Sequence, residues 1–311
     1  MNFENIFQLF LEETRLTAKI STAAHYHALF NNHIARRFGN RNAESISESE
    51  LITHILEEKD NNLRDLGRSL SQKSICDIIT LLNSIFKYAR ENGFMKAKLH
   101  IPVPKCPQNK VEIFTPDEKA KIKEYIFSNV TYHGIAILLS LFMGLRLGEA
   151  CALTWNDIDF ETETLRVSRT LQRVKDINGG NSAKTKVVID TPKSEKSIRD
   201  IPVPEFLLPL LNQFKGDKDC YVSTNTVDYA EPRLLQKKYK TLLKKAGVNY
   251  RKYHATRHTF ATDAYNNGMG IKSLSEILGH ADIETTLRLY VHTSFEQKQR
   301  EMNHIYADMR A

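Results

Sequence analysis

A segment rich in proline divides this chain of 311 residues. Pro102, Pro104 and Pro107 lie within the run IPVPKCP, and proline cannot continue a helix because it lacks an amide donor and clashes with the preceding turn. The run is typical of an extended linker. We therefore predict two domains, residues 1–107 and residues 108–311, which agrees with the usual domain length of about 100–200 residues.

The residues before the linker show the patterns of helices. Ser47 and Glu50 have the spacing of a capping box, before a helix that extends to about Glu58. A stronger helix begins at Ser71, and an earlier one covers about residues 22–37. The apolar stripe of the helix after Ser71 consists of Ile75, Ile78, Ile79, Leu82, Ile85, Phe86 and Ala89.

The residues after the linker combine helices with short strands. The run from Thr115 to Glu118 predicts a helix start with an N-cap, a proline in the first turn and a capping glutamate. Alternation of polar and apolar residues predicts strands at 164–172, 187–190 and 198–203, and helical patterns return afterwards. We expect a mainly α fold with a small antiparallel β-sheet, in which a helical domain precedes an α+β domain.

Composition and charge indicate which kind of partner the chain binds and in which cellular compartment it occurs. A net charge of +7 and a pI near 9.1 favour a polyanionic partner. No run of about 18 apolar residues predicts a membrane span, and the N-terminus lacks the features of a signal peptide, so we expect a cytoplasmic protein. The cysteines form no CxxC pair and are expected to be reduced thiols. They are Cys76, Cys106, Cys151 and Cys220.

Two arginines have the sequence context of phosphate ligands. Arg146 lies in GLRLGE, where the glycines predict a tight turn after a buried helix, and Arg257 lies in HATRH. The planar guanidinium binds two phosphate oxygens and stays charged at any working pH. His254, Arg257 and His258 are spaced to share one helical face. The two histidines could instead bind zinc, but no further ligand or general-base glutamate is apparent.

Three further residues could complete the chemistry of phosphodiester cleavage. Lys193 lies in a predicted hairpin, where Lys196 and Arg199 compete for the same role, and His280 lies in LGH. Tyr290 lies in TLRLYVH; at a pKa of about 10 roughly one tyrosine in a thousand is ionised at neutral pH, so attack requires nearby cations. Taken singly, each residue is more often structural, and only the ordered set indicates catalysis.

This ordered set resembles the tyrosine recombinases, the phage-integrase family, over essentially the whole chain and most specifically over about residues 115–295. The resemblance implies that Tyr290 attacks a phosphodiester to form a 3′-phosphotyrosyl link, with Lys193 as the acid, and that neither metal, ATP nor any other cofactor is required. Thr256 departs from the family pattern, where leucine is usual. The implied phosphate ligands and proton-transfer groups are Arg146, His254, Arg257 and His280, with Glu149 and His258 in supporting positions.

The resemblance also implies partners. They are duplex DNA with a specific recombination site, a homotetramer that exchanges its C-terminal tail (295–310), and an excisionase or other accessory protein. The tail could instead fold back on its own domain. The helical region begins almost at residue 1, so the additional arm-binding domain of many phage integrases is not expected. Candidate DNA contacts are Arg36, Arg37, Arg41 and Lys73, and the alternative for the arginines is a solvated helix end.

The sequence bears on four candidate functions. The predicted hairpin TPKSEKSIRDIPV and the insertion INGGN favour an integrase of a phage or conjugative element over a Xer-type resolver of chromosome or plasmid dimers. A non-catalytic DNA-binding protein would explain the charge but would not require Tyr290 or Lys193. A metal-dependent nuclease would need a cluster of acidic ligands, which the sequence does not show.

Overall fold

The computed structural model describes residues 1–66, 69–105, 111–175, 185–190, 198–280, 282–290, 299 and 302–303, with the backbone alone at 61–66, 175 and 288–290. The chain divides into two compact units. The first comprises Met1–Asn109 with Val174–Lys186, and the second comprises Lys110–Arg173 with Val187–Ala311.

Aromatic rings fill the core of the helical first unit. Phe7 stacks on Phe30 with ring centroids 3.8 Å apart, and Phe3 stacks on Phe86 at 5.0 Å. The rings lie on apolar faces that recur every three to four residues, which is why the segments bury these faces as helices. The helices are α1 Phe3–Thr17, α2 Ile20–His33, α3 Ala35–Phe38, α4 Glu48–Leu66 and α5 Gln72–Glu91.

The single helix predicted over residues 22–37 is wrong, because α2 and α3 are separated at Ile34. His54 Nε2 donates to the carbonyl oxygen of His33 at 2.5 Å. In a continuous helix that oxygen would accept the amide of Arg37, which instead donates to the carbonyl of Ile34 at 3.2 Å. A side chain from a distant helix therefore ends α2.

The start signals of the other two helices are confirmed. Ser47 N donates to Glu50 Oε2 at 3.0 Å, and Glu50 N donates back to Ser47 Oγ at 3.3 Å, which completes the capping box of α4. Ser71 Oγ likewise accepts an amide in the first turn of α5. Helix α4 continues to Leu66, beyond the predicted end at Glu58, so its start was predicted better than its end.

The second unit is built around one mainly apolar and almost wholly buried helix, α7. Helices α8, α10 and α11 pack against it, and Ser140 in its middle is satisfied by the Tyr253 hydroxyl at 2.8 Å. Helix α6 begins with the predicted capping box at Thr115. The helices are α6 Pro116–Ser128, α7 Tyr132–Met143, α8 Leu147–Ala152, α9 Leu208–Phe214, α10 Pro232–Lys245, α11 His254–Asn266, α12 Ile271–Leu278 and α13 Ile283–Tyr290.

Two small sheets accompany these helices. A three-stranded antiparallel sheet has the order β1-β2-β5, with Leu165 opposite Ile201 and both side chains buried; a second sheet pairs β3 with β4. The strand predicted over 164–172 is therefore two strands. At the break between them, the side chain of Arg169 donates to Asp157 Oδ2 at 2.6 Å. The strands are β1 Ile158–Asp159, β2 Thr164–Val167, β3 Thr170–Lys175, β4 Thr185–Asp190 and β5 Arg199–Pro202.

Two of the left-handed glycines that follow helices in the second unit lie beside candidate site residues. Gly144 follows α7 with φ 71°, and a Cβ there would lie 2.6 Å from Phe260. Gly279 follows α12 with φ 60°. Glycine adopts this conformation without steric cost, so each helix can reverse sharply and deliver the next residues into one region. Within the described part of the chain, no helix combines the length and apolarity that a membrane crossing requires.

Candidate active site

Arg146 stands at the start of α8, two residues after the Gly144 turn. Its amide donates to Glu149 Oε2 at 2.8 Å and its Nη1 donates to Glu149 Oε1 at 2.7 Å. Its Nη2 donates to the carbonyl of Gly279 at 3.1 Å. The side chain is 34% exposed, so its position is fixed by the protein while part of its surface faces solvent.

Arg257 is almost completely buried, with 1% of its surface exposed. Its Nη1 donates to the carbonyl of Gly144 at 2.8 Å, and its Nη2 donates to the carbonyl of Leu278 at 2.5 Å. Both carbonyls lie at helix C-termini, where the backbone dipoles favour a cation. Arg257 therefore joins the turn that carries Arg146 to the end of α12. The neighbouring Thr256, the departure from the family pattern, is buried and bonds the carbonyl of Tyr253 at 2.8 Å.

Arg199, on β5, belongs to the same cluster. Its Nη1 and Nη2 donate to the two oxygens of Glu149 at 3.2 and 2.9 Å, and its Nε donates to the carbonyl of Ile277 at 2.5 Å. Sequence reasoning considered Arg199 only as a rival of Lys193 in the hairpin. The signal that could have placed it in the core was the alternation of β5, which puts Arg199 on the same buried face as Ile201.

Glu149 is buried among these arginines, with 3% of its surface exposed. Burial opposes ionisation of its carboxyl, but the charge and hydrogen bonds of Arg199, followed by the charges of Arg146 and Arg257, outweigh it and lower the pKa to about 2. The carboxylate is therefore ionised throughout the physiological range.

Three histidines lie near the arginines. His254 and His258 are one helical turn apart on α11, with ring centroids 4.5 Å apart at an angle of 89°. His280 follows Gly279, and its Nδ1 lies 2.7 Å from the hydroxyl of Thr286 on α13. Thr286 is fully buried, so this hydrogen bond fixes the His280 ring against α13.

The surroundings of all three rings disfavour their protonated forms. Desolvation by the surrounding protein lowers the pKa of His254, His258 and His280 to about 4 in each case. The second cause is positive charge: Arg257 and Arg146 act on His254 and His280, and His254 and Arg257 act on His258. By its surface area His254 is exposed, and the charges of Arg257 and Arg146 act on its ring. In the described parts of the chain, no three His, Cys, Asp or Glu side chains form a group that could hold a metal ion.

For two predicted site residues the structure describes the backbone alone or nothing. Tyr290 is the last residue of α13, which packs against α11 and α12, but its side chain lies outside the described part of the structure. Lys193 lies outside the described residues, as do the INGGN insertion and most of the C-terminal tail. The structure thus brings together Arg146, Glu149, His254, Arg257, His258 and His280, adds Arg199, and places the backbone of Tyr290 on a neighbouring helix.

The predicted DNA contacts of the first unit are surface residues. Arg37 pairs with Glu57, Arg41 pairs with Glu50 at 2.7 Å, and Lys73 pairs with Asp77 one turn along α5. Arg36 is exposed on α3. Ion pairs of this kind exchange readily with other anions, so a role in binding phosphate stays a prediction for all four residues. The four are Arg36, Arg37, Arg41 and Lys73.

Comparison with known proteins decides the family. Residues 112–297 match the model of the phage integrase family. A XerC-like tyrosine recombinase of Caldanaerobacter subterraneus is 32% identical across 92% of this chain and 78% of its own length.

The chain belongs to the phage integrase family. Another relative, the ICEBs1 integrase of Bacillus subtilis, is 23% identical over 97% of this chain and 82% of its own length. Among solved structures, the Tn1549 transposon integrase in complex with circular intermediate DNA has a TM-score of 0.74 and 25% identity, covering 98% of this chain and 100% of the other. The chain is accordingly a tyrosine-type site-specific recombinase with the fold of this family, and the family, fold and enzyme class predicted from sequence are confirmed.

Proposed function

We propose that this recombinase integrates and excises a mobile DNA element by cutting and rejoining duplex DNA through Tyr290. The observation that carries the proposal is the gathering of Arg146, Arg257 and His280 at the turns that end α7 and α12, with the charges of both arginines also acting on His254. Integrases of mobile elements among the similar proteins support the same biological role.

The arginines would hold the scissile phosphate. Arg146 has five N–H donors, of which the described structure assigns two to Glu149 and Gly279, and its partly exposed fork can present others to phosphate oxygens. Arg257, held by two carbonyls, would supply a fixed positive charge behind the phosphate. Such preorganised charge stabilises the pentavalent transition state without reorganisation during the reaction.

The reaction balances without a metal or ATP. The Tyr290 oxygen forms a bond to phosphorus, the bond from phosphorus to the 5′-oxygen breaks, and a 3′-phosphotyrosyl link results. Neutral His254 accepts the phenol proton, and Lys193 donates a proton to the departing 5′-oxygen. The 5′-hydroxyl of a partner strand then attacks the link, which releases Tyr290 and completes strand exchange. The energy of the broken bond is retained in the covalent intermediate.

Strand exchange defines the assembly. We propose that the chain acts on a specific recombination site as a homotetramer, in which residues 295–310 exchange between protomers, with an excisionase or other accessory protein controlling direction. Each of the two duplexes must be cut on both strands during a complete recombination, so four tyrosines, one from each copy, suffice.

The test is a covalent-trapping experiment. Purified protein and a Tyr290→Phe variant are incubated with fragments of the native genomic locus in EDTA and quenched with SDS. Adducts in the wild type alone are expected, and sequencing of the trapped DNA locates the site. Binding without an adduct, on intact fragments and on a nicked duplex of the bound sequence, would show a DNA-binding protein and contradict the proposal.

A Xer-type role is the second candidate, because the XerC-like relative is 32% identical across most of the chain. The trapped sequence separates the two roles. An attachment site at the end of a mobile element, next to a gene for an excisionase, supports the integrase. A single site that resolves chromosome or plasmid dimers would support the Xer-type role instead.

A further inference from the structure

Three arginines hold three consecutive carbonyls at the end of α12. Arg199 Nε donates to the carbonyl of Ile277 at 2.5 Å, Arg257 Nη2 to that of Leu278 at 2.5 Å, and Arg146 Nη2 to that of Gly279 at 3.1 Å. They come from β5, from α11 and from the start of α8. The last carbonyls of a helix lack partners within the helix and form the negative end of its dipole, which explains the attraction of cations to this place.

The end of α12 is also shaped around Arg199. Gly279 has a φ of 60°, and a Cβ at this position would lie 3.1 Å from both Cδ and Nη1 of Arg199. Any other residue would therefore be strained in its backbone and crowded by the guanidinium. The next residue is His280, so the position of Arg199 limits where the chain can place that ring.

Glu149 connects Arg199 to Arg146. Its Oε1 accepts from Nη1 of both arginines, at 2.7 Å from Arg146 and 3.2 Å from Arg199. Its Oε2 accepts the amide of Arg146 at 2.8 Å and Nη2 of Arg199 at 2.9 Å. A carboxylate with four donors on its two oxygens has little freedom to rotate, so Arg199 holds the group that holds Arg146.

A role in stability alone does not explain the choice of arginine at this position. Residue 199 lies opposite the buried Val167 in the sheet, where an apolar side chain would fit the pattern of the strand. Buried ion pairs lose hydration, and replacing them with apolar groups of similar volume is often neutral or stabilising. The arginine has 8% of its surface exposed, and its guanidinium donates to both oxygens of Glu149 and to a carbonyl at the end of α12.

We propose that Arg199 is a positioning residue of this recombinase, which fixes Arg146 through Glu149 and His280 through the carbonyl of Ile277 without touching the DNA. The inference rests on the proposed function, since it assigns Arg146 and His280 to the phosphate. It adds a residue from β5 to a site whose other members follow the turns or lie on the helices.

The test compares Arg199→Lys and Arg199→Gln with Arg166→Gln. Arg166 is the matched control: it lies on the neighbouring strand β2, its side chain is 61% exposed, and it faces Asp200 at 3.7 Å. The rate of adduct formation is measured on a nicked duplex of the cleaved sequence, and DNA affinity is measured separately. We expect both Arg199 variants to form the adduct about 10- to 100-fold more slowly, since small misplacement of catalytic groups has effects of this size. DNA affinity should change by less than about threefold, because the contacts to phosphate remain.

The lysine variant separates charge from geometry. Lysine keeps the positive charge opposite Glu149, but its donors lie on one nitrogen and do not reproduce the planar fork that reaches Glu149 and the carbonyl of Ile277 from separate nitrogens. If Arg199→Lys restores the wild-type rate, charge alone suffices and the proposed positioning is wrong. Rates are compared at a temperature where circular dichroism shows each variant folded, and a loss that merely follows the unfolded fraction would also overturn the proposal.

A second readout does not depend on catalysis. Nitrogen-15 NMR of the imidazole rings reports the tautomer and titration of His280, which faces Arg146, Arg199, Arg257 and His254 and bonds Thr286. Arg199→Gln should raise the pKa of His280 and shift its ring signals, whereas Arg166→Gln should not. If the ring signals and the pKa of His280 are unchanged in Arg199→Gln, the inference about Arg199 is overturned. This readout does not require an adduct, so a wild type that forms none would count against the proposed function alone.

Discussion

The buried arginines at the candidate site of the second unit and the surface arginines of the first unit differ in what neutralises them. In the second unit Arg257 and Arg199 are buried and donate to backbone carbonyls and to the buried Glu149. In the first unit the side chains of Arg37 and Arg41 are 37% and 34% exposed and pair with surface glutamates. A buried fork cannot change partners without disturbing the core, whereas a surface pair can exchange its carboxylate for a phosphate. The first arrangement suits chemistry that needs fixed charge, and the second suits binding.

The largest difference between the two kinds of arginine should appear in stability. Arg257→Gln leaves the buried carbonyls of Gly144 and Leu278 without their donors, at about 1–3 kcal/mol each, so we expect a loss of roughly 2–6 kcal/mol in the free energy of unfolding. Arg37→Gln, which removes a surface pair, should cost less than about 1 kcal/mol. Urea unfolding of the two variants measures both. Equal losses would show that burial does not distinguish these arginines.

The next effect concerns catalysis. Arg146→Gln should lower the rate of adduct formation about 10²- to 10³-fold, which is the usual cost of removing one preorganised donor to a developing anion. Arg41→Gln should leave the rate on saturating DNA within about twofold, since a positioning contact to phosphate carries no transition-state charge. Single-turnover kinetics on the nicked duplex gives both values. A similar slowing in the two variants would contradict the division of roles.

A smaller effect, on the pH dependence of stability and of DNA affinity, should follow from the histidines of the second unit. Their pKa values of about 4 lie below the ordinary value of 6.5, so the unfolded chain binds more protons than the folded one and stability should fall as the pH decreases from about 6.5 to 4. A bound phosphate favours the protonated rings, so DNA binding should raise the pKa values of these histidines. DNA affinity should therefore rise over the same pH interval, more steeply than in a His254→Gln/His258→Gln variant. Parallel titration curves for the wild type and this variant would argue against a phosphate site beside these rings.

The smallest expected effect is on the salt dependence of binding. If Arg36 contacts a DNA phosphate, Arg36→Gln should reduce the slope of log affinity against log salt by about 0.9, with no change in the rate of adduct formation on bound DNA. Arg15→Gln is the control, because Arg15 is an exposed arginine in the last turn of α1. Identical slopes in the wild type and both variants would remove Arg36 from the predicted DNA contacts.

Local patterns predicted much of the fold. The capping boxes at Ser47 and Thr115 mark real helix starts, because each involves residues only three apart. The sequence did not predict the interruptions of a helix and a strand at places where a side chain distant in the sequence forms a hydrogen bond. His54 bonds the carbonyl of His33 where α2 ends, and the side chain of Arg169 bonds Asp157 at the break between β2 and β3. Neither partner can be recognised from spacing along the chain.

For the candidate site, the sequence by itself determined the identity and order of the residues proposed to react, the common helical face of His254, Arg257 and His258, and the sharp turn before Arg146. These depend on helical period and on the backbone freedom of glycine, which act over a few residues. Only the tertiary structure decided that Arg199 packs on Glu149 and that three arginines hold the end of α12. Those hydrogen bonds join residues far apart in the chain, and burial makes them persist because no water can replace a lost partner.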